Sequence, residues 1–179
     1  TPYKNSTAKM DFFADTIADQ NNTIGTEDNR ADNALVYISP KFSGLQFSGA
    51  AVSGEADTAT AGRPTSDDGL ADAYSVALTY NNAGLSGAVA YENMEDVAGT
   101  SADSKVRVGL GYKMDAFKVA AVYEDRSDIG GSAGTDSTAW QISGAYSMGN
   151  NTVKAMYGNY DQGATDADSW AIGLDHKMS

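Results

Sequence analysis

From about Asp32 onward the chain repeats one pattern, in which apolar residues alternate with small or polar ones over segments of about ten residues. Segment 105–113 is the clearest: Val106, Val108, Leu110 and Tyr112 alternate with Lys105, Arg107, Gly109, Gly111 and Lys113. In 74–80, Tyr74, Val76, Leu78 and Tyr80 share one side, and Ser75, Ala77 and Thr79 share the other. In 85–92, Leu85, Val89 and Tyr91 stand against Ser86, Ala88, Ala90 and Glu92. Segments 117–124, 140–148 and 169–177 continue the pattern, 153–160 does so less cleanly, and 32–38 and 45–52 bring the count to about nine strands. Successive side chains of a strand point to opposite faces. The sheet these strands form therefore has one apolar face and one face of small and charged residues.

The connections alternate as well. Residues 39–44, 81–84, 114–116 and 149–151 are short, whereas 54–72, 93–104, 127–138 and 161–168 read as longer, Gly/Ser/Thr-rich acidic loops. A sheet whose two ends differ in this way matches a membrane barrel, with short turns on one side and long loops on the other. A soluble sandwich has no reason to sort its loops. The apolar face supplies a second test. Aromatics recur six residues apart, as Tyr74 and Tyr80, Phe117 and Tyr123, and Trp140 and Tyr146. At about 3.3 Å per residue this spans about 20 Å, most of a tilted apolar band bounded by aromatic girdles. The same aromatics could fill a sandwich core, but the opposite face is too small and too charged for an ordinary solvent face. The fold class predicted is all-β, a transmembrane antiparallel β-barrel occupying residues 1–179 as one domain.

Composition narrows the function. There is no Cys and a single His, so disulfides, thiolate metal sites and multi-histidine sites are excluded. Twelve Lys and Arg against 24 Asp and Glu leave a formal charge of −12, which argues against a nucleic-acid partner. No apolar run is long enough for a transmembrane helix, a fact with no bearing on strands that alternate. No G-x-S-x-G elbow is present. His176 invites a catalytic role, but its parity places it on the outer face at a rim, beside Lys177, as an interfacial residue. The acidic pairs Asp67-Asp68 and Glu95-Asp96 could bind Ca²⁺ or bridge lipopolysaccharide phosphates through divalent cations, or could simply be solvated loop charge. Residues 1–30 break the strand pattern. Asp11, Asp15 and Asp19, spaced by four, would share one face if a short helix forms there.

The stretch Asn29-Arg30-Ala31-Asp32-Asn33-Ala34-Leu35-Val36-Tyr37-Ile38-Ser39-Pro40-Lys41-Phe42-Ser43-Gly44-Leu45 resembles a motif of the trimeric general porins of Gram-negative bacteria, R-x-D-N-S-[VI]-x-Y-x-S-P-x-[FL]-x-G-[FL]. Arg30, Asp32, Asn33, Leu35, Tyr37, Ser39, Pro40, Phe42, Gly44 and Leu45 keep it. The tail Gly173 to Ser179 is similar to the run that leads into the family's S-K-R-T turn. The resemblance covers essentially the whole chain. It implies a 16-stranded barrel, of which this chain would supply about nine strands, as an internal piece incomplete at both ends. Residues 1–28 would be the inward-folded constriction loop and 29–179 barrel strands. It further implies a homotrimer in the outer membrane, touching its lipids and lipopolysaccharide. Such a channel passes ions and small hydrophilic solutes by passive diffusion, with no cofactor and no enzymatic activity. A non-conducting structural or partner-anchoring barrel is the alternative reading, and an outer-membrane enzyme such as a lipase the third.

Parity then places Arg30, Lys105, Arg107, Lys113, Lys118 and Lys154 on the lumen side with Glu92, Glu124 and Asp175, facing Asp11, Asp15 and Asp19 of the loop. Opposed fixed charges across a narrow lumen orient solutes and set ion preference; the same charges could serve merely to keep the lumen wet. Arg107 and Arg30 are the strongest wall candidates. The family often has a basic residue where Val36 stands, so the loop carboxylates face one cation fewer. This predicts a modest preference for cations.

Overall fold

The computed structural model describes residues 1–20, 34–52, 73–94, 103–129 and 132–178. A short helix, α1 (Pro2–Ser6), is followed by nine strands: β1 (Ala34–Ile38), β2 (Leu45–Val52), β3 (Ala73–Asn82), β4 (Leu85–Met94), β5 (Asp103–Met114), β6 (Phe117–Ser127), β7 (Ser137–Met148), β8 (Asn151–Gln162) and β9 (Thr165–His176). They form one sheet in chain order, every neighbouring pair antiparallel. Among the described residues β1 and β9 are the two edges, and the sheet is not closed. Arg30 and the acidic pairs Asp67-Asp68 and Glu95-Asp96 lie outside the described residues.

The register keeps the two faces apart across the whole sheet. Leu78, Val89, Val108, Tyr123 and Trp140 occupy one continuous row of direct cross-strand partners, and all of them belong to the outer face. Large apolar side chains stand exposed there: Leu110 is 59 % accessible and Trp170 72 %. An exposed apolar surface on this scale is a contact surface for something other than water. The aromatics sort into two levels on it. Tyr80, Tyr112, Phe117 and Tyr146 lie beside the short turns. Tyr74, Tyr91, Tyr123, Trp140 and Tyr157 lie toward the opposite end, with aliphatic residues between the levels. Ring pairs tie neighbouring strands at both levels: Phe117 and Tyr146 centroids are 4.4 Å apart, Trp140 and Tyr157 5.6 Å, and Tyr74 and Tyr91 5.9 Å.

The short turns sit where the sequence puts them, and their residues fit. Ser43-Gly44 and Ala83-Gly84 both take positive φ at both positions, the backbone that matches the right-handed strand twist. A Cβ on Gly84 would stand 2.3 Å from the Lys113 carbonyl oxygen. That close approach exists because Gly84 O accepts the Lys113 N–H at 2.9 Å. The same turn-to-next-strand bond recurs from Asn81 N–H to Gly44 O, from Ser147 N–H to Ala116 O and from Lys177 N–H to Asn150 O. The hairpins are thus stitched into one ladder.

One connection differs from expectation. Residues 161–168 are no long loop: β8 and β9 run on to a two-residue turn, Gly163-Ala164, with Gly163 at φ 59°. The apolar alternation fades there because Asp161, Asp166 and Asp168 sit beyond the apolar band, but the backbone ladder continues into water. Asn159 bridges the two strands by donating to Asp166 (2.6 Å) and Asp168 (3.1 Å).

Leu110 lies mid-strand on the apolar face. Leu110→Arg is expected to impede membrane assembly by about 2–4 kcal/mol, read from urea-dependent folding of the full-length protein into lipid vesicles. Assembly at the unmodified level would show that the faces have been exchanged.

Candidate functional site

Residues 1–20 fold back over the inner face of the sheet and are held at three places. At the first, Pro2 opens α1 and the Thr1 hydroxyl accepts from the Lys4 N–H at 3.3 Å, a preferred start for a helix. The single turn that follows brings Tyr3 onto the sheet, 1 % exposed. Its backbone N–H donates to Ser75 Oγ at 2.9 Å, and its hydroxyl donates to Glu124 Oε2 at 2.6 Å. Arg107 donates from Nε to the same carboxylate oxygen at 2.8 Å, and its guanidinium lies 4.4 Å from the Tyr3 ring centroid. Burial, and after it the negative charge of Glu124, pushes the Tyr3 phenol far above its ordinary range. The same two effects favour the protonated, donating form of the Tyr3 hydroxyl.

The second place is made by absence of side chain. Gly109 faces the segment, and a Cβ there would meet Met10 Sδ at 2.3 Å and Thr7 Cγ2 at 2.8 Å. Met10 fills this notch and packs on Ala88, Ala120 and Val122, with Phe12 alongside. At the third, Phe13 approaches the Gly173 position while Lys154 Nζ lies 4.8 Å from its ring centroid and 3.2 Å from Asp175.

The three aspartates do not share a helical face, because no helix forms over 11–19. Asp15 takes a left-handed φ of 62°, and the carboxylates fold the chain into turns by capturing its N–H groups. Asp11 accepts from Phe13 (2.9 Å) and Gln20 (3.1 Å), and Asp19 accepts from Asp15 N–H (2.9 Å). Short acidic side chains compete with a helix for the same donors, and here they win. Burial raises the Asp11 carboxyl above its ordinary value, against the pull of those two N–H groups. The turns still gather the acids: a groove of about 160 Å³ is lined by Asp11, Asp15, Asp19, Lys4 and Gln20 on one side and by Arg107 on the other.

The remaining wall candidates divide into two groups. Glu92, Lys105, Arg107 and Glu124 are all on the inner face, and all are buried rather than open to it. Lys105 stands 3.8 Å from Glu92, and Arg107 is bound to Glu124. A further pair that the alternation alone did not reveal, Arg126 and Asp103, closes the row, Nε to Oδ1 at 2.9 Å. Lys113 and Lys118 are instead exposed at the short-turn end. Val36 stands exposed on the wall of a second groove, about 330 Å³, with Thr1, Asn5, Lys9 and Gln46. His176 lies at the turn-side rim, bonded to Asn151 at 2.8 Å.

Sequence reasoning missed Tyr3, Ser75 and the Gly109–Met10 notch. The signals were present in part: Thr1-Pro2 is a helix start, and a Gly at every second place in 109–111 leaves the inner face open to a close neighbour. The protein-family model described as Gram-negative porin matches residues 1–179, and no curated protein matches the chain.

Two substitutions separate the anchors. Tyr3→Phe removes a hydrogen bond to a charged acceptor, a loss of about 1.5–3 kcal/mol. The Tyr3 amide should then exchange with deuterium faster, while the strand amides of β5 and β6 keep their protection. Gly109→Leu should leave the strands assembled and expose residues 1–20 to protease. Unchanged Tyr3 exchange and unchanged cleavage together would mean that these contacts do not hold the segment.

Proposed function

The chain belongs to the Gram-negative porin family, and we propose that it forms the wall and the constriction of a water-filled channel for passive diffusion of ions and small hydrophilic solutes. It is an outer-membrane protein, and family membership points to a channel rather than to catalysis. The observation that carries the reading is the placement of residues 1–20. A polar, charged segment lies across the small-residue face of a sheet whose other face is apolar and ringed by aromatics. A plug of that kind narrows a lumen without interrupting the ladder that faces lipid. In this reading residues 1–28 are the constriction loop, 29–179 are barrel strands, and the assembled unit is a homotrimer.

The wall charges come as pairs: Arg107 with Glu124, Lys105 with Glu92, Arg126 with Asp103 and Lys154 with Asp175. Wall cations neutralised by wall carboxylates leave the field at the narrowing to the loop. There Asp11, Asp15 and Asp19 gather around one groove opposite Arg107, whose charge Glu124 neutralises, while Val36 lines a separate groove beside Lys9. Fixed charge of one sign at a constriction selects the opposite ion, so the channel prefers cations modestly.

The full-length protein should give stepwise conductance in planar bilayers, with a reversal potential in a KCl gradient on the cation side. Asp15→Asn together with Asp19→Asn should move that potential toward zero. Absence of conductance would favour a structural barrel, and anion preference in the unmodified channel would defeat the selectivity argument.

A further inference from the structure

The four inner-face pairs named above each set a cation against a carboxylate. Two inner-face cations depart from that rule. Lys113 and Lys118 are direct cross-strand partners at the foot of β5 and β6, so their Cβ atoms are about 4.5–5.5 Å apart. Like charges placed directly opposite each other weaken a ladder. Both side chains are exposed, and among the described residues neither makes an ion pair. Asp115, in the turn between them, is the nearest carboxylate in sequence and pairs with neither.

Their surroundings leave the space in front of them open and polar. Lys118 faces Ala145 across the next ladder, and Ala145 faces Lys154. Gly111 and Ala120 occupy the inner position one step up their own strands, and neither reaches toward the amines. Ser147 and Thr152, whose hydroxyls bond each other at 3.0 Å, supply further polar groups at the same end. Lys154 is already engaged by Asp175. The two free amines are thus held side by side by the backbone, in a wall of small residues, at the short-turn mouth. Apart from Asp175, which engages Lys154, and Asp115 in the turn, the aspartates of the sheet collect toward the other end, as Asp103, Asp125, Asp161, Asp166 and Asp168.

We propose that Lys113 and Lys118 form a binding site for small oxyanions, phosphate and phosphate monoesters above all, at the short-turn mouth of the channel. Two ammonium groups on flexible stems rooted about 5 Å apart can offer donors to two oxygens of one tetrahedral anion, and the anion relieves the repulsion between them. A monovalent halide brings less charge than a phosphate and offers both donors a single atom instead of separate oxygens. The site rests on the reading of the inner face as water-filled. It sits beyond the constriction, so it retains anions at one mouth while the loop carboxylates favour cations at the narrowing.

The test uses the full-length protein in detergent, an amine-acylating reagent and inorganic phosphate, with modification of each lysine followed by mass spectrometry at constant ionic strength. Phosphate at about four times its Kd, and not chloride at the same concentration, should slow acylation of Lys113 and Lys118 by a factor of about five, since protection follows one plus the ratio of ligand concentration to Kd. Lys41 and Lys177, exposed at the same end, should be unaffected. Lys118→Gln should abolish the protection of Lys113. Equal slowing of all four lysines, or no slowing at all, would overturn the site. In bilayers, phosphate added to the short-turn side should reduce the current, and Lys113→Gln with Lys118→Gln should remove that block. A full-length protein that shows the protection without conducting would retain the anion site and sink the channel reading, so the two failures are distinct.

Discussion

Backbone N–H and C=O groups that face lipid have no water to bond, so each must find its partner in the neighbouring strand. Everything else in this structure follows from meeting that demand. Among the described residues nine strands pair consecutively and antiparallel, the short turns donate and accept across hairpin boundaries, and no crossover interrupts the ladder. Once the ladder is continuous, side chains have two directions to go. The register then carries the parity of one strand into the next, so that Leu78, Val89, Val108 and Tyr123 stay on a common face across four strands.

The inner face uses that parity differently. Its residues are small, which is no way to build a protein core by itself. The volume they leave is filled by residues 1–20, so that Met10 occupies the space above Gly109 and Tyr3 lies over Ala77 and Ala90. Charges that this segment buries are matched one for one: a buried guanidinium would be costly alone, and Glu124 accepts from both it and the Tyr3 hydroxyl. Removing one member of such a set leaves a buried charge without its partner, a larger loss than the worth of any one bond. Paired charges therefore fasten the segment, and unpaired ones remain at the ends, where water reaches them.

That division has an electrostatic consequence. In the proposed channel, the pairs in the middle contribute little net field to a passing ion. What remains is carboxylate at the folded-in segment and at the long-loop end, and lysine at the short-turn end. In the proposed channel, an axial separation of this kind gives the two mouths different preferences for ions.

The alternation of Val106, Val108, Leu110 and Tyr112 with Lys105, Arg107, Gly109 and Gly111 was enough to specify a strand, its two faces and the lipid-facing side. Parity is a local property set by the pleat of the backbone. The six-residue aromatic spacing likewise foretold two girdles, because distance along a strand is fixed by its rise. Loop boundaries were less legible: 161–168 read as a loop because its residues are acidic, and composition reports the solvent rather than the hydrogen bonding. The candidate site was legible as a list of charges but not as an arrangement. Parity put Glu92, Lys105, Arg107 and Glu124 on one face, yet their pairing and burial depend on strand register and on a segment far away in sequence, as in the 121-residue separation of Tyr3 and Glu124. The spacing of Asp11, Asp15 and Asp19 suggested a helix because periodicity counts residues; the turns form because carboxylates bind particular N–H groups. The sequence by itself determined which way each strand residue points. The tertiary structure decided which of the inward-pointing charges meet one another, because that depends on distances across the sheet that no local pattern encodes.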